Sequence, residues 1–236
     1  MRFHCLFAFL FVLGCGGPET PPAGDAMPPA RPSPQPTQID AVPADEIPTV
    51  VFLGDSLTAG FQLSLEEALP GQVAAVLAEQ GAPINAVNAG VSGDTTANGL
   101  ARFDWSVAQT GADVLVVALG ANDFLLGQSA EGAKANLVAI IDQALALNME
   151  VVLAGVEPRS EAGNDARAAA FAAIYPEIAT TYGLPLRPAL MAGVRSSPDL
   201  LLADGLHPNA EGVSVMADGL ASILLPLLDS GGPAEE

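Results

Sequence analysis

Short runs of apolar, often β-branched residues alternate along this chain with longer segments of helical pattern. The clearest runs are Thr49–Leu53 and Val114–Leu119, each of which stops at a glycine. Both runs are apolar at nearly every position, as expected for parallel strands buried on two faces. Weaker strands are predicted over Ile84–Ala89, Glu150–Val156 and Leu184–Leu190. Because Pro185 and Pro188 interrupt the last run, it is expected to form only a poor edge strand.

Four longer segments carry helix signals: Pro70–Gln80, Ala130–Leu147, Asp165–Tyr182 and Gly212–Leu228. The first begins with proline at a first-turn position and ends before Gly81, which is the usual asymmetry of helix ends. Strand followed by helix, repeated five times, predicts a three-layer α/β/α sandwich around a five-stranded parallel sheet. This pattern places a domain over residues 49–228 and leaves residues 229–236 as an acidic tail.

The first fifteen residues have the features of an export signal. Arg2 precedes the apolar stretch Leu6–Leu13, which is too short to span a bilayer. Val12–Cys15 then resembles the cleavage box of a bacterial lipoprotein, so residues 1–15 are predicted to be a signal peptide with lipidated Cys15. The chain would then lie on the periplasmic or outer face of the cell envelope. An ordinary signal-peptidase site at Gly14–Gly16, which would release a soluble protein, is the alternative.

Residues 16–48 are rich in proline, alanine and acidic side chains, including the run Pro32–Pro36. Because proline fixes φ and lacks a donor, this stretch is predicted to be a disordered, extended tether. Its Pro-x-x-Pro spacing could also mark a ligand for another domain, but composition favours a passive spacer.

Charge and the positions of cysteine and histidine exclude several classes of function. The 236 residues include 27 acidic and 8 basic side chains, for a net charge of −19. Such a chain lacks the basic stripe that nucleic-acid binding requires. Both cysteines and one of the two histidines fall within the first fifteen residues, which leaves His207 alone in the remainder. Once the signal is removed, a disulfide, a cysteine nucleophile and a Cys/His zinc site are excluded, while an all-carboxylate metal site stays open.

Polar loops follow three of the predicted strands, and a fourth precedes the last helix: Gly54–Leu57, Asn88–Thr95, Gly120–Asp123 and Asp204–Asn209. Open parallel sheets bind ligands at the carboxyl ends of their strands, so the site is expected there. Taken singly, each loop could be an ordinary turn, and Ser56 could be a simple helix N-cap. Their joint order and spacing favour a catalytic site. Asp55, Asp94 and Asp123 are interpreted as carboxylates that brace these loops.

In order and in sequence, the four loops resemble those of the GDSL (SGNH) hydrolase family, and the resemblance covers about Thr49 to Leu228. It is greatest for the acyl-CoA thioesterase I, lysophospholipase L1 and arylesterase branch. The resemblance implies a flavodoxin-like sheet and a serine esterase. It also implies that Ser56 is the nucleophile, that Asp204 and His207 complete a triad, and that Gly93 and Asn122 belong to the oxyanion hole.

The same roles follow from the chemistry of the residues. A serine hydroxyl needs a base that titrates near neutrality, and His207 is the candidate after the signal. Asp204, three residues earlier, is close enough to orient the imidazole. Ser56 enters a helix, so its N–H can face a developing oxyanion, while Gly93 allows close backbone approach and Asn122 adds a side-chain donor.

Other motifs are absent. Asp94 replaces the last glycine of a Gly-x-Ser-x-Gly elbow, and Ala133 stands where a P-loop needs lysine. No cofactor is expected, and the oligomeric state is left open.

Export also bears on the substrate. Acyl-CoA thioesters are cytosolic, so lysophospholipids and aryl or short-to-medium acyl esters are the expected substrates. The resemblance also allows thioesters, and the preference between esters and thioesters is left open. The acidic surface disfavours strongly anionic molecules at long range. A carbohydrate acetylesterase on the same fold is the first alternative, and a non-catalytic lipoprotein that binds an acyl or glycan ligand is the second.

Overall fold

A computed structural model describes residues 47–158 and 166–230 of the chain. All of them fall within the second of two units into which the chain divides, Met1–Asp40 and Ala41–Glu236. The predicted signal, Cys15 and nearly all of the predicted tether lie outside the described residues, as do residues 231–236.

Five parallel strands form one sheet: β1 (Thr49–Gly54), β2 (Asn85–Gly90), β3 (Val114–Ala118), β4 (Glu150–Ala154) and β5 (Leu186–Arg187). Their order across the sheet is β2-β1-β3-β4-β5, which is the flavodoxin-like order. The predicted fold class is therefore confirmed. The edge strand β5 pairs with β4 through only two residues, because Pro185 and Pro188 flank it.

Eight helices occur in the described residues: α1 (Ser56–Ala59), α2 (Leu69–Glu79), α3 (Thr96–Ala101), α4 (Phe103–Ser106), α5 (Ala121–Leu125), α6 (Ala130–Ala146), α7 (Ala166–Tyr182) and α8 (Ala210–Ser230). Two single 3-10 turns, Ala108–Thr110 and Pro198–Leu200, complete the elements. The four long helices match the predictions closely. Since α8 continues to Ser230, the predicted acidic tail begins too early at residue 229. The predicted helix start at Asp165 lies outside the described residues.

The sheet separates two apolar cores. In β1, Val51 and Leu53 face one core while Val50 and Phe52 face the other. The first core is closed mainly by α6 and α7, with side chains such as Leu137, Ile140, Ile141, Phe171 and Ile178. The second is closed by α2 and α8, with Leu69, Val73, Leu77, Leu220 and Leu224. Because each buried leucine or isoleucine contributes about 1.5–3 kcal/mol, these two layers fix the sheet and therefore the loops at its edge.

Helix α8 is also the element of the described chain that is long and apolar enough to cross a membrane, over Ala210–Asp229. Its apolar residues Val213, Met216, Leu220 and Leu224 are fully buried in the second core. A helix buried in a protein core can have the same length and composition, and in this structure α8 is such a helix.

Candidate active site

The strand order brings three of the four polar loops together. Because β2, β1 and β3 are neighbours, the loops that follow them leave the same edge of the sheet side by side. The fourth loop reaches this edge because it directly precedes α8. The four segments that were separated in sequence therefore enclose one cavity of about 640 Å³, lined in part by Ser56, Gly93, Asn122, Asp204 and His207.

Ser56 lies at the junction between β1 and α1. Asp55, rather than Ser56, is the N-cap of this helix, because its Oδ1 accepts a hydrogen bond from the Leu57 N–H at 3.0 Å. Ser56 is the first helical residue, so its hydroxyl is not used in capping. The interpretation of Ser56 as a simple N-cap is therefore wrong.

Ser56, His207 and Asp204 form a continuous chain of hydrogen bonds. Ser56 Oγ lies 2.9 Å from His207 Nε2, and His207 Nδ1 lies 2.7 Å from Asp204 Oδ2. A neutral imidazole with its proton on Nδ1 can thus donate to Asp204 and accept from the Ser56 hydroxyl. This is the arrangement that allows a histidine to remove a serine proton.

The loop carrying Asp204 and His207 is built largely from its own backbone. Asp204 Oδ1 accepts from the N–H groups of Leu206 and His207 at 2.9 and 3.0 Å. The Leu202 N–H donates to the His207 carbonyl at 2.8 Å. The hydrogen bond to the His207 side chain lowers the pKa of Asp204 most, and the bonds from the backbone N–H groups of His207 and Leu206 lower it further, to about 2. This exposed carboxylate therefore stays charged at neutral pH.

An aromatic ring covers the imidazole. The ring centroids of Phe61 and His207 are 4.3 Å apart at an interplanar angle of 32°. Phe61 follows the left-handed residue Gly60, and a Cβ at Gly60 would collide with Ala68. The turn therefore depends on glycine, and it places the phenyl ring where it restricts the tilt of His207.

Gly93 and Asn122 flank Ser56 from the two neighbouring loops. Gly93 has φ +90°, which strains any other residue, and beyond its two chain neighbours nothing described lies within 4 Å of where its Cβ would be. Asn122 Nδ2 donates to the Asp94 carbonyl at 2.9 Å and lies 3.4 Å from Asp55 Oδ2. Both residues line the cavity beside Ser56, where donors for an oxyanion are needed.

Asp55 lies beneath these groups and is 1% exposed. Burial raises its pKa to about 6, although the hydrogen bond from the Leu57 N–H and the proximity of His207 act in the opposite direction. A carboxyl group with this pKa changes charge near pH 6.

Asp94 and Asp123 hold the loop between β2 and α3 from its two sides. Asp94 Oδ2 accepts from Arg102 Nε at 2.6 Å. Asp123, which is 2% exposed, accepts from the Thr96 N–H and hydroxyl at 2.8 and 2.6 Å. Both carboxylates thus brace the loop that contains Gly93, in the manner expected from the sequence.

Sequence reasoning assigned no role in the site to Arg102 or Tyr175. The Tyr175 hydroxyl donates to the Leu119 carbonyl at 2.9 Å, and its pKa is raised by burial. A Cβ at Gly120 would collide with that hydroxyl, so Tyr175 and glycine together shape the turn before Asn122. No local sequence pattern shows that an arginine at the end of a helix donates to carbonyls far away in the chain.

Within residues 47–158 and 166–230, no group of three or more histidine, cysteine, aspartate and glutamate side chains is arranged to hold a metal ion.

A parallel flavodoxin-like sheet that carries a hydrogen-bonded serine, histidine and aspartate at its carboxyl edge defines the class of serine hydrolases. A sequence profile of the GDSL-like lipase/acylhydrolase family matches residues 52–215. The chain therefore belongs to this family and is an ester hydrolase of the GDSL type.

Individual relatives agree with this assignment. The chain is 35% identical over 182 residues to thioesterase 1/protease 1/lysophospholipase L1 of Escherichia coli K12, covering 77% of this chain and 85% of that protein. It is 32% identical over 176 residues to an arylesterase of Vibrio mimicus, covering 75% and 88%. The crystal structure of AlinE4, an SGNH-hydrolase family esterase, superposes with a TM-score of 0.64 at 32% identity, covering 80% of this chain and 98% of AlinE4.

Proposed function

We propose that Ser56 is the nucleophile, that His207 is the general base, and that Asp204 orients and stabilises the imidazole. The observation that carries this proposal is the unbroken series of hydrogen bonds, 2.9 and 2.7 Å long, at the wall of the cavity. Ser56 Oγ attacks the ester carbonyl carbon while its proton passes to His207 Nε2. The tetrahedral intermediate collapses, and the leaving alcohol takes that proton. Water then hydrolyses the acyl-enzyme by the same steps.

The oxyanion hole consists of the N–H groups of Ser56 and Gly93 and of the Asn122 side chain. The N–H of the first residue of α1 also benefits from the start of a helix, where negative charge is favoured. Asn122 lies in α5, which follows β3, and Gly93 lies in the loop that follows β2, so the donors approach the carbonyl oxygen from separate segments. Donors held before reaction stabilise the developing charge without reorganising.

The expected substrates are uncharged or zwitterionic carboxylic esters with an apolar acyl group, including lysophospholipids and aryl esters. The cavity wall includes Phe61, Val156, Leu190, Met191 and Leu206, which suit an acyl chain better than a sugar. The net charge of −19 disfavours strongly anionic substrates at long range. Lysophospholipase is among the named activities of the Escherichia coli relative, and the Vibrio mimicus relative is named an arylesterase.

The enzyme acts outside the cytoplasm, held to the cell envelope by a lipid on Cys15 and set off the membrane by the Pro-rich residues 16–48. This placement rests on the sequence signals, since an apolar stretch directly before a cysteine is typical of lipoprotein export.

Ser56→Ala tests the chemistry. The variant should fold normally, since it loses one hydroxyl at a loop, and hydrolysis of p-nitrophenyl butyrate should fall at least about a thousandfold. A phosphonate ester should form an adduct on Ser56 of the unmodified enzyme, located by peptide mass spectrometry. Ser92, which also lines the cavity, supplies the control, and Ser92→Ala should retain labelling and activity. An adduct on Ser92, or an active Ser56→Ala, would contradict the proposal.

Cys15→Ser tests the anchor. The full chain, expressed in a bacterium, should be recovered with the membranes and carry a lipid mass on its processed N-terminus. Cys15→Ser should accumulate unprocessed, because no thiol remains to carry the lipid. Soluble protein with an unmodified N-terminus after Gly16 would support secretion instead.

A further inference from the structure

Arg102 is a buried cation at the C-terminal end of α3, only 6% exposed. Its guanidinium donates from Nε to Asp94 Oδ2 at 2.6 Å and from Nη1 to Ser106 Oγ at 3.2 Å. Its Nη2 donates to the carbonyls of Ala89 at 2.7 Å and Gly54 at 3.1 Å. A guanidinium is costly to bury unless its donors are satisfied, and here all three nitrogens have partners.

All of these partners except Ser106, which ends α4, belong to the segments that carry the oxyanion donors. Gly54 ends β1 two residues before Ser56, and Ala89 lies near the end of β2, from which the loop with Gly93 departs. Asp94 follows Gly93 directly. The two carbonyl acceptors lie in adjacent strands, so one planar side chain bridges the ends of β1 and β2 and the loop that follows β2.

The third donor is connected through the same loop. The Asp94 carbonyl accepts from Asn122 Nδ2 at 2.9 Å, while the Asp94 carboxylate holds Arg102. Asp94 therefore links Asn122, which follows β3, to the guanidinium. Arg102 touches two of the three donor-bearing segments and reaches the third through one residue.

The links from Arg102 to the three donors affect the rate of the chemical step. Oxyanion donors stabilise the transition state only when their positions match the developing charge, so a small displacement of a donor lowers kcat. The exposed Gly93 has no side chain of its own with which to anchor the loop. Its position is therefore set by neighbours, with Asp94 on one side and the Asp123–Thr96 contact a little further along.

We propose that Arg102 and Asp94 are positioning residues of the oxyanion hole, whose ion pair sets the spacing of the Ser56, Gly93 and Asn122 donors. This inference rests on the proposed roles of those three residues. The ion pair acts on catalysis through geometry and touches no substrate. A purely structural ion pair would affect stability alone.

The experiment compares Arg102→Met, Arg102→Lys and Asp94→Asn, with kcat expressed per active site counted by complete phosphonate labelling. Arg102→Met should lower kcat about 10- to 100-fold with KM changed less than about threefold, because the donors act chiefly as charge develops. Arg102→Lys should recover part of the loss, since it keeps the charge but not the planar fork. A trifluoromethyl ketone, which forms a tetrahedral adduct, should lose affinity by a factor similar to the loss in kcat.

Two controls make the outcome decisive. Leu224→Ala removes a fully buried side chain near the far end of α8, so it should lower Tm and leave kcat per labelled site unchanged. If the Arg102 variants behave as Leu224→Ala does, the proposal is overturned.

Asp94→Asn keeps a side-chain acceptor and the carbonyl that accepts the hydrogen bond from Asn122, so it tests the proposal even if Arg102→Met does not fold. Its expected loss in kcat is about tenfold, and full kcat in both Asp94→Asn and Arg102→Lys would also overturn the proposal.

Failure of the positioning proposal can be distinguished from failure of the proposed nucleophile. Activity retained by Ser56→Ala would refute the proposed function itself. A dead Ser56→Ala together with full kcat in the Arg102 variants would refute only the positioning role.

Discussion

Two aspartates at the same edge of the sheet have pKa values that move in opposite directions. Asp204 is exposed and accepts hydrogen bonds from its own loop and from His207, and its pKa falls to about 2. Asp55 is buried beneath Ser56, and its pKa rises to about 6. Both side chains lie beside the Ser56–His207 pair, since Asp204 bonds to the imidazole and Asp55 caps the helix that Ser56 begins.

The difference shows that the surroundings of identical side chains decide their charge and their role. A carboxylate surrounded by donors remains charged and can stabilise an imidazolium as it forms. A buried carboxyl with fewer donors is held partly in its neutral form near pH 6, so it serves better as a helix cap than as a permanent charge. Catalytic and bracing roles can therefore be separated by burial and hydrogen bonding.

The largest predicted effect is that of Asp204→Asn. Without the carboxylate, the imidazole loses both its preferred tautomer and the charge that stabilises the imidazolium, so kcat should fall about 10³- to 10⁴-fold. Steady-state kinetics on p-nitrophenyl butyrate measures the loss. Asp199→Asn, an exposed change in the nearby turn Pro198–Leu200, is the matched control and should stay within about twofold of wild type. A loss of less than about tenfold in Asp204→Asn would remove the distinction drawn between the two aspartates.

Asp55→Asn should produce the next largest effect, on stability rather than rate. Because the folded pKa of Asp55 is about 6 and its ordinary value is 3.8, the native state binds the proton more tightly. The stability contributed at this position is therefore full below about pH 4 and is lost as pH rises through 6. Asparagine caps helices equally well and does not ionise, so the variant should gain about 1–3 kcal/mol relative to wild type between pH 4 and pH 7.

Urea unfolding at several pH values measures this difference. Asp218→Asn, on the exposed face of α8, provides the control and should give a constant difference from wild type. Parallel curves for Asp55→Asn and wild type would show that burial does not control the ionisation of Asp55.

The smallest predicted effect concerns the acid limb of kcat/KM. The rate should rise with pH because His207 must be neutral to accept the Ser56 proton, while Asp204 stays charged above about pH 4 and adds no limb. Asp55 caps α1 and transfers no proton, so Asp55→Asn should keep this rising limb. A limb that is present in wild type and lost in Asp55→Asn would assign it to the Asp55 carboxyl, and a flat wild-type profile from about pH 5 to 8 would contradict His207 as the base.

Several features of this protein follow from local sequence. β1 and β3 were predictable because continuous apolar runs indicate strands buried on two faces. Asp204 and His207, three residues apart, form their contact within one loop, so that part of the site was also predictable. The short helices α3, α4 and α5 were missed because four to six residues contain less than two turns of helical pattern.

Other features depended on contacts between distant parts of the chain. The Arg102 guanidinium reaches the Gly54 carbonyl across 48 residues, and Tyr175 reaches Leu119 across 56. The raised pKa of Asp55 required its complete burial beneath the site, where Asn122, 67 residues away, also approaches it. Sequence determined which chemical groups were present and which of them were joined by short loops. Tertiary structure decided which were buried, since desolvation and partner geometry arise only when the sheet order brings separate loops together.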